Sequence, residues 1–300
     1  MNDDPQRYLD PLTLAKVRGL ELQARLLVEG YLSGMHKSPY HGFSVEFAQH
    51  REYVPGDDIK HIDWKVYARN DRFYLKQYEQ ETNLVCWLVV DASESMQYKS
   101  EEVSKYDYAC MTAAGMAYLV LKQQDSVGLV TFDNQVRRFL KPSSQPSHLK
   151  EIVEILNHGP TRAKTTLGPI FHELAERVSR RSIIAILSDC FDDVPNILAG
   201  LRHLRYQRHE IVLFHVLDAY ELDFPFQEAT LFKGLEEFPD LMTDPRSLRK
   251  NYQAEVKAFV SELQRGCREQ NIDYVQLRTD QTLAVALSSY LAHRLARKGG

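Results

Sequence analysis

From residue 84 onward, short apolar runs alternate with longer amphipathic stretches. Leu84–Val90 and Ser182–Ser188 carry no charge at all and predict strands buried on both faces, as in a parallel sheet. Ser126–Phe132, Glu210–Leu217 and Asp273–Leu277 are the other strand candidates. Between and after them, helical periodicity covers Lys105–Gln124, Ser147–Leu156, Leu167–Arg180, Val194–Tyr206, Pro245–Gln270 and Leu283–Arg297. Strands that alternate with helices imply a parallel sheet with crossover helices. Asp133-Asn134-Gln135 reads as a hairpin turn, which places Val136–Leu140 antiparallel as an edge strand. Residues 219–243 lack a helical period and read as an insertion, with a hairpin as the expected form.

The pattern before residue 84 is different. Apolar positions at Leu12, Leu14, Val17, Leu20, Leu22, Leu26 and Leu27 predict one amphipathic helix over Leu9–Leu32, ended by Gly30, Ser33 and Gly34. Met35–Asp58 is richer in Pro, Gly, His and aromatics and should be irregular with short strands. Val54-Pro55-Gly56-Asp57 is a turn signal, because Pro presets one torsion and Gly permits a positive φ. Arg72–Gln80 alternates like a half-exposed strand. The change of pattern after Asn83 divides the chain into an N-terminal extension, 1–82, and an α/β domain, 83–300.

Composition changes this picture little. The chain is 44% hydrophobic and 26% charged, ordinary for a globular protein. A net charge of -4 gives no electrostatic footprint for nucleic acid. The basic cluster of Arg202, His203, Arg205, Arg208 and His209 reads as a solvated helix face and its exit. No apolar stretch approaches the ~20 residues that cross a bilayer, and the N-terminus is polar and acidic, unlike a signal peptide. Cys86, Cys110, Cys190 and Cys267 are far apart with no C-x-x-C pair, and Cys86 in a strand and Cys110 in a helix read as buried free thiols. The expected compartment is the cytoplasm, with no membrane span.

Candidate chemistry gathers at strand ends. Asp91 follows the first apolar run directly, with Ser93 and Ser95 at alternate positions. Asp189 ends the Ser182–Ser188 run, and Thr165 and Thr166 open a helix between the two. Loops at the carboxyl ends of parallel strands line the ligand crevice of open α/β sheets. Carboxylate and hydroxyl oxygens suit a hard cation such as Mg²⁺, and Asp and Ser before a helix also suit plain capping. The near-match to H-E-x-x-H at His172 has Glu176 where the second His belongs, and Ser247-Leu248-Arg249-Lys250 lies in a charged helix start. Phosphate-loop, dinucleotide and nucleophile-elbow motifs are absent. Asp57, Asp58, His61 and Asp63 form a dense polar cluster, read as a turn with salt bridges or as acid/base groups.

The order Asp91-x-Ser93-x-Ser95, then Thr165, then Asp189 resembles the metal-ion-dependent adhesion site of von Willebrand factor type A domains. The register of Thr165-Thr166-Leu167-Gly168-Pro169-Ile170 favours Thr165 over Thr166. His50–Arg69, with its P-G-D-D-I-x-x-I-D-W core, resembles the signature of domain-of-unknown-function family 58, a bacterial von Willebrand-like family associated with MoxR-type AAA+ ATPases. The resemblance implies a von Willebrand factor type A-like doubly wound, mostly parallel sheet with one antiparallel edge strand, preceded by a helix and short-strand extension. It implies a metal site of Asp91, Ser93, Ser95, Thr165 and Asp189 in solvent-facing loops, holding Mg²⁺ or Mn²⁺ weakly. A partner's carboxylate would fill the open position, and the chain would be a non-catalytic adaptor or co-chaperone for a MoxR-type ATPase or an acidic client. The rival readings are a Mg²⁺-assisted hydrolase with Asp57, Asp58 or His61 as base, and a scaffold whose metal site has decayed. One departure from the family pattern stands out: Thr161-Arg162-Ala163-Lys164 precede the key Thr where glycines are usual, so Arg162 and Lys164 are candidate competitors of the cation.

Overall fold

The apolar periodicity near the N-terminus folds into two helices, where one was expected. Helix α1 (Pro11–Ala15) starts at Asp10, whose side chain accepts a hydrogen bond from Thr13 N. Gly19 then takes φ +91°, and α2 (Leu20–Lys37) begins. A left-handed residue cannot continue a right-handed helix, and Gly adopts that conformation at no steric cost. Helix α2 also runs past Gly30, Ser33 and Gly34, the expected terminators. A helical Gly costs about 1 kcal/mol against Ala, and tertiary packing supplies most helical stability in proteins. Here Ala24, Leu27 and Val28 are fully buried.

The computed structural model describes residues 9–37, 50–52, 74–76, 84–161, 163, 165–228, 230–234 and 241–288. Contacts divide the chain into two units: Met1–Gly34 with Leu84–Gly300, and Met35–Asn83. In the smaller unit, β1 (His50–Glu52) pairs antiparallel with β2 (Tyr74–Lys76), placing Arg51 opposite Leu75. The turn expected over Val54–Asp57 lies outside the described residues.

In the larger unit the elements run in order β3 (Val85–Asp91), α3 (Lys105–Lys122), β4 (Ser126–Phe132), β5 (Val136–Ser143), α4 (His148–Leu156), α5 (Leu167–Arg177), β6 (Ile183–Ser188), α6 (Val194–Tyr206) and β7 (Glu210–Leu217). Then come α7 (Ala219–Asp223), β8 (Thr230–Phe232), β9 (Leu241–Thr243), α8 (Pro245–Glu269) and β10 (Asp273–Arg278). Six strands form one sheet in the order β10-β7-β6-β3-β4-β5, parallel throughout except for β5 at the edge. This is the expected doubly wound, mostly parallel sheet with an antiparallel edge strand. The expected hairpin in 219–243 is the antiparallel β8–β9 pair. The helix expected over Leu283–Arg297 is described only as far as residue 288.

Every residue of β3 is buried. Burial on both faces explains why its sequence is an unbroken apolar run with no alternation. Trp87 and Val89 point into a core shared with Ile170, Phe171 and Leu174 of α5 and Ile197, Leu201 and Leu204 of α6. Burying each large apolar side chain contributes about 1.5–3 kcal/mol. Helix α3 is buried along most of its length, which fits its apolar character on nearly all sides. It packs on α2 so closely that a Cβ on Gly115 would stand 2.6 Å from Leu27 Cδ2. All four cysteines are buried. Among the described residues no helix is long and apolar enough to cross a membrane.

Strand β3 lies between β4 on one side and β6 on the other. The chain winds outward from β3 in both directions, so the crevice between the carboxyl ends of β3 and β6 is the switch point of the sheet. Ligands of open α/β folds bind at such points.

Candidate functional site

Asp91 is the last residue of β3 and Asp189 directly follows β6, so both carboxylates stand at the switch point. Asp91 is fully buried, with Oδ1 accepting from Ser93 N at 2.9 Å and Oδ2 accepting from Ser188 Oγ at 2.6 Å. The hydroxyls of Ser93 and Ser95 lie 3.1 Å apart. Ser95 in turn hydrogen-bonds Asp189, and Ser93 hydrogen-bonds Asp91. Four of the five expected residues therefore form one continuous oxygen network.

Thr165 lies in the adjoining loop before α5. That loop is stitched to the Ala92–Gln97 segment: Thr161 N donates to Ala92 O at 2.7 Å, Glu94 N to Ala163 O at 3.2 Å, and Gln97 Nε2 to Thr161 O at 2.8 Å. Asp192 ties the third loop in by accepting from Leu167 N at 2.8 Å, and Asp193 caps α6. The three loops thus converge as β-strand order requires. Thr165 Oγ1 is buried and, among the described residues, has no hydrogen-bond partner. Leaving a buried hydroxyl unpaired costs roughly 1–3 kcal/mol.

One expectation needs correction. These loops were expected to face solvent, yet Asp91, Ser93, Ser95, Thr165 and Asp189 are all at most 4% exposed. Loop-to-loop backbone pairing covers them, a long-range effect invisible in local sequence. Removing Asp91 as Asp91→Ala would therefore strand Ser188 Oγ and Ser93 N, so the isosteric Asp91→Asn is the fitting variant.

The electrostatics of the two carboxylates diverge. Burial, then the charge on Asp189, pushes Asp91 up to about 7. Burial also acts to raise Asp189, but the Lys105 ammonium outweighs it and holds that carboxyl below its ordinary value. Lys105 Nζ donates to Asp189 Oδ2 at 2.8 Å and to Glu221 Oε1 at 2.6 Å. His215 donates from Nε2 to Asp189 O at 2.8 Å, so its Nδ1 accepts from Tyr274 OH at 2.7 Å. Burial pushes His215 down to about 4, which keeps it neutral.

Sequence reasoning missed Lys105 and Glu221. One signal was present: Lys105 immediately follows the N-cap Ser104 of α3, and a cation at a helix N-terminus opposes the macrodipole. Such a residue calls for an anionic partner. The competitors named instead, Arg162 and Lys164, lie outside the described residues, as does the cluster of Asp57, Asp58, His61 and Asp63.

The donor set suits a hard cation. All five side chains offer oxygen, which Mg²⁺ and Mn²⁺ prefer and softer metals do not. Among the described residues no three His, Cys, Asp or Glu side chains converge on one point, so an ion here would depend on the hydroxyls of Ser93, Ser95 and Thr165. The unpaired Thr165 Oγ1 fits that role.

Beside this network lies a cavity of ≈ 270 Å³. Ser95 and Lys105 belong to its wall, and Phe191, Tyr220, Phe224 and Tyr252 supply much of its aromatic lining. Phe191, two residues beyond Asp189, is 58% exposed.

The sequence profile of the protein family of unknown function DUF58 matches residues 49–261. Uncharacterised proteins from Mycobacterium tuberculosis (strain H37Rv) and Mycobacterium bovis are each 26% identical to this chain over 290 residues, covering 95% of it and 90% of the relative. Among solved structures, the conserved hypothetical protein BatB from Bacteroides thetaiotaomicron is similar at 12% identity with a TM-score of 0.48, covering 72% of this chain and 98% of that one. The SpRpn10 VWA domain is similar at 12% identity with a TM-score of 0.39, covering 69% and 94%. With its profile matched over well more than half its length, the chain belongs to the DUF58 family.

Proposed function

We propose that this chain is a non-catalytic protein-interaction module that docks a partner's carboxylate through a divalent cation, Mg²⁺ or Mn²⁺, held weakly by Asp91, Ser93, Ser95, Thr165 and Asp189. The observation that carries this reading is the buried Thr165 Oγ1, without a partner among the described residues, on a loop that adjoins a continuous network of carboxylates and hydroxyls at the switch point. A bound ion supplies an open coordination position for an acidic side chain. The protein supplies the fixed geometry: Ser188 and Ser93 N hold Asp91, while His215 holds the backbone of Asp189. The exposed Phe191 and the aromatic cavity favour a partner that presents a large apolar residue beside its acid. The association with MoxR-type AAA+ ATPases that the sequence resemblance implies makes such an ATPase, or an acidic client, the proposed partner. The chain then acts as adaptor or co-chaperone.

Binding rather than chemistry is favoured because neither His215 nor Cys190 is poised as a base or nucleophile. Both ring nitrogens of His215 are engaged and the ring is neutral. Burial pushes the Cys190 thiol well above its ordinary pKa, so it is not a ready nucleophile.

Calorimetric titration of the full chain with Mg²⁺, Mn²⁺ and Zn²⁺ tests the cation. Mg²⁺ and Mn²⁺ should bind with Zn²⁺ weaker, and Asp91→Asn should abolish binding while keeping the fold. Equal affinity in wild type and Asp91→Asn would refute the site.

A further inference from the structure

One of the buried charges near the site is not a carboxylate. Lys105 is the first residue of α3, its side chain is only 3% exposed, and it faces the positive end of its own helix. Withdrawing an ammonium from water is justified only by close anionic partners. Lys105 has two: Asp189 Oδ2 at 2.8 Å and Glu221 Oε1 at 2.6 Å. Both ends of this bridge are anchored. The capping box of Ser104 and Asp107 fixes the start of α3. Glu221 closes a second capping box at the start of α7, its Oε2 accepting from Asp218 N at 2.8 Å.

Asp189 is thus asked to serve two cations. We propose that Lys105 is a built-in counter-cation that competes with the divalent ion for Asp189, and that Glu221 retains the ammonium when Asp189 turns to the ion. This rests on the cation-site reading above. In the metal-free protein Lys105 keeps Asp189 ionised and ordered, in place of a bare pair of facing carboxylates. On loading, an ion and the ammonium drawn to the same carboxylate repel one another across it, which favours withdrawal of the ammonium. It has somewhere to go: Lys105 and Glu221 both line the ≈ 270 Å³ cavity, and the Tyr98 ring centroid lies 5.7 Å from Nζ, a distance at which an aromatic face still attracts a cation. Glu221 sits on the insertion after β7, so the same exchange links metal loading to the aromatic wall of the cavity. Weak affinity for the ion is then a consequence of an internal competitor rather than of poor ligands.

The test is a set of Mg²⁺ titrations by calorimetry on the full chain, comparing wild type, Lys105→Met and Glu221→Gln, with folding checked by circular dichroism. Lys105→Met frees Asp189 and should bind Mg²⁺ at least tenfold more tightly than wild type. Glu221→Gln leaves the ammonium to Asp189 alone and should bind severalfold more weakly. These opposite shifts separate competition from a structural role, since general loosening of the site would weaken both variants. Unchanged or weaker binding in a folded Lys105→Met protein overturns the proposal. Should Lys105→Met fail to fold, Glu221→Gln decides alone, and unchanged or tighter binding there overturns it. If wild type binds Mg²⁺ and Lys105→Met binds it equally, only the competition fails. If neither wild type nor Lys105→Met binds, the cation site itself falls and the competition with it.

Discussion

Asp91 and Asp189 show how two carboxylates at neighbouring strand ends acquire different characters. Asp91 has hydrogen bonds but, among the described residues, no cation, and burial pushes it up to about 7. Asp189 has Lys105 and stays ionised. For Asp91 the folded protein holds a proton that the unfolded chain releases near pH 4, so metal-free stability falls as pH rises from about 4 to 7. His215 acts in the opposite sense: neutral in the fold down to about 4, it makes stability rise with pH between about 4 and 6.5. Comparing wild type with Asp91→Asn leaves His215 unchanged and isolates the first effect. In urea melts with chelator, wild type should lose about 2 kcal/mol relative to Asp91→Asn between pH 5 and 7. Parallel pH profiles would show that Asp91 is ionised throughout. Asp189 lies outside this window, since a lowered carboxyl loses its contribution only as pH falls below about 4.

The helix pair α5 and α6 positions the loop that carries Thr165, and its packing rests on Gly200. A Cβ there would meet Phe171 Cβ at 2.8 Å and Gly168 O at 3.0 Å. Ala would gain about 1 kcal/mol of helix propensity, but overpacking costs typically 1–3 kcal/mol. Gly200→Ala should therefore lower stability by about 1–2 kcal/mol, read as a lower urea midpoint; a rise would mean the helices part freely. At this scale much of the fold was legible. β3 and β6 are apolar at every position because both faces are covered, and an Asp at each exit marks where the sheet opens. The break between α1 and α2 was not legible, because periodicity continues across it and does not say which Gly takes a positive φ. Nor was Lys105, whose partners lie 84 and 116 residues away. Burial of the site loops was misjudged for the same reason: Glu94 N and Ala163 O pair across a gap that only the folded sheet closes.

At the scale of the molecule, the larger unit gathers its chemistry on one edge of the sheet, where β3 and β6 end. The network of Asp91, Ser93, Ser95 and Asp189, the unpaired Thr165 hydroxyl, the Lys105 bridge and the aromatic cavity adjoin there. Opposite demands meet on that edge: enough burial to order the ligands, and enough exposed apolar surface, at Phe191, for a partner to hold. Cation-dependent docking is the function we propose for these features. Thr165→Val is the cleanest probe, because it keeps the shape and removes only a hydroxyl with no partner among the described residues, so the fold should not lose stability. The decisive measurement is the affinity of the purified full chain for a purified MoxR-type ATPase, taken in Mg²⁺ and in chelator, with wild type and Thr165→Val. Wild type in Mg²⁺ should bind at least tenfold more tightly than wild type in chelator, and Thr165→Val should bind weakly in both. Equal binding under all four conditions would contradict metal-mediated docking.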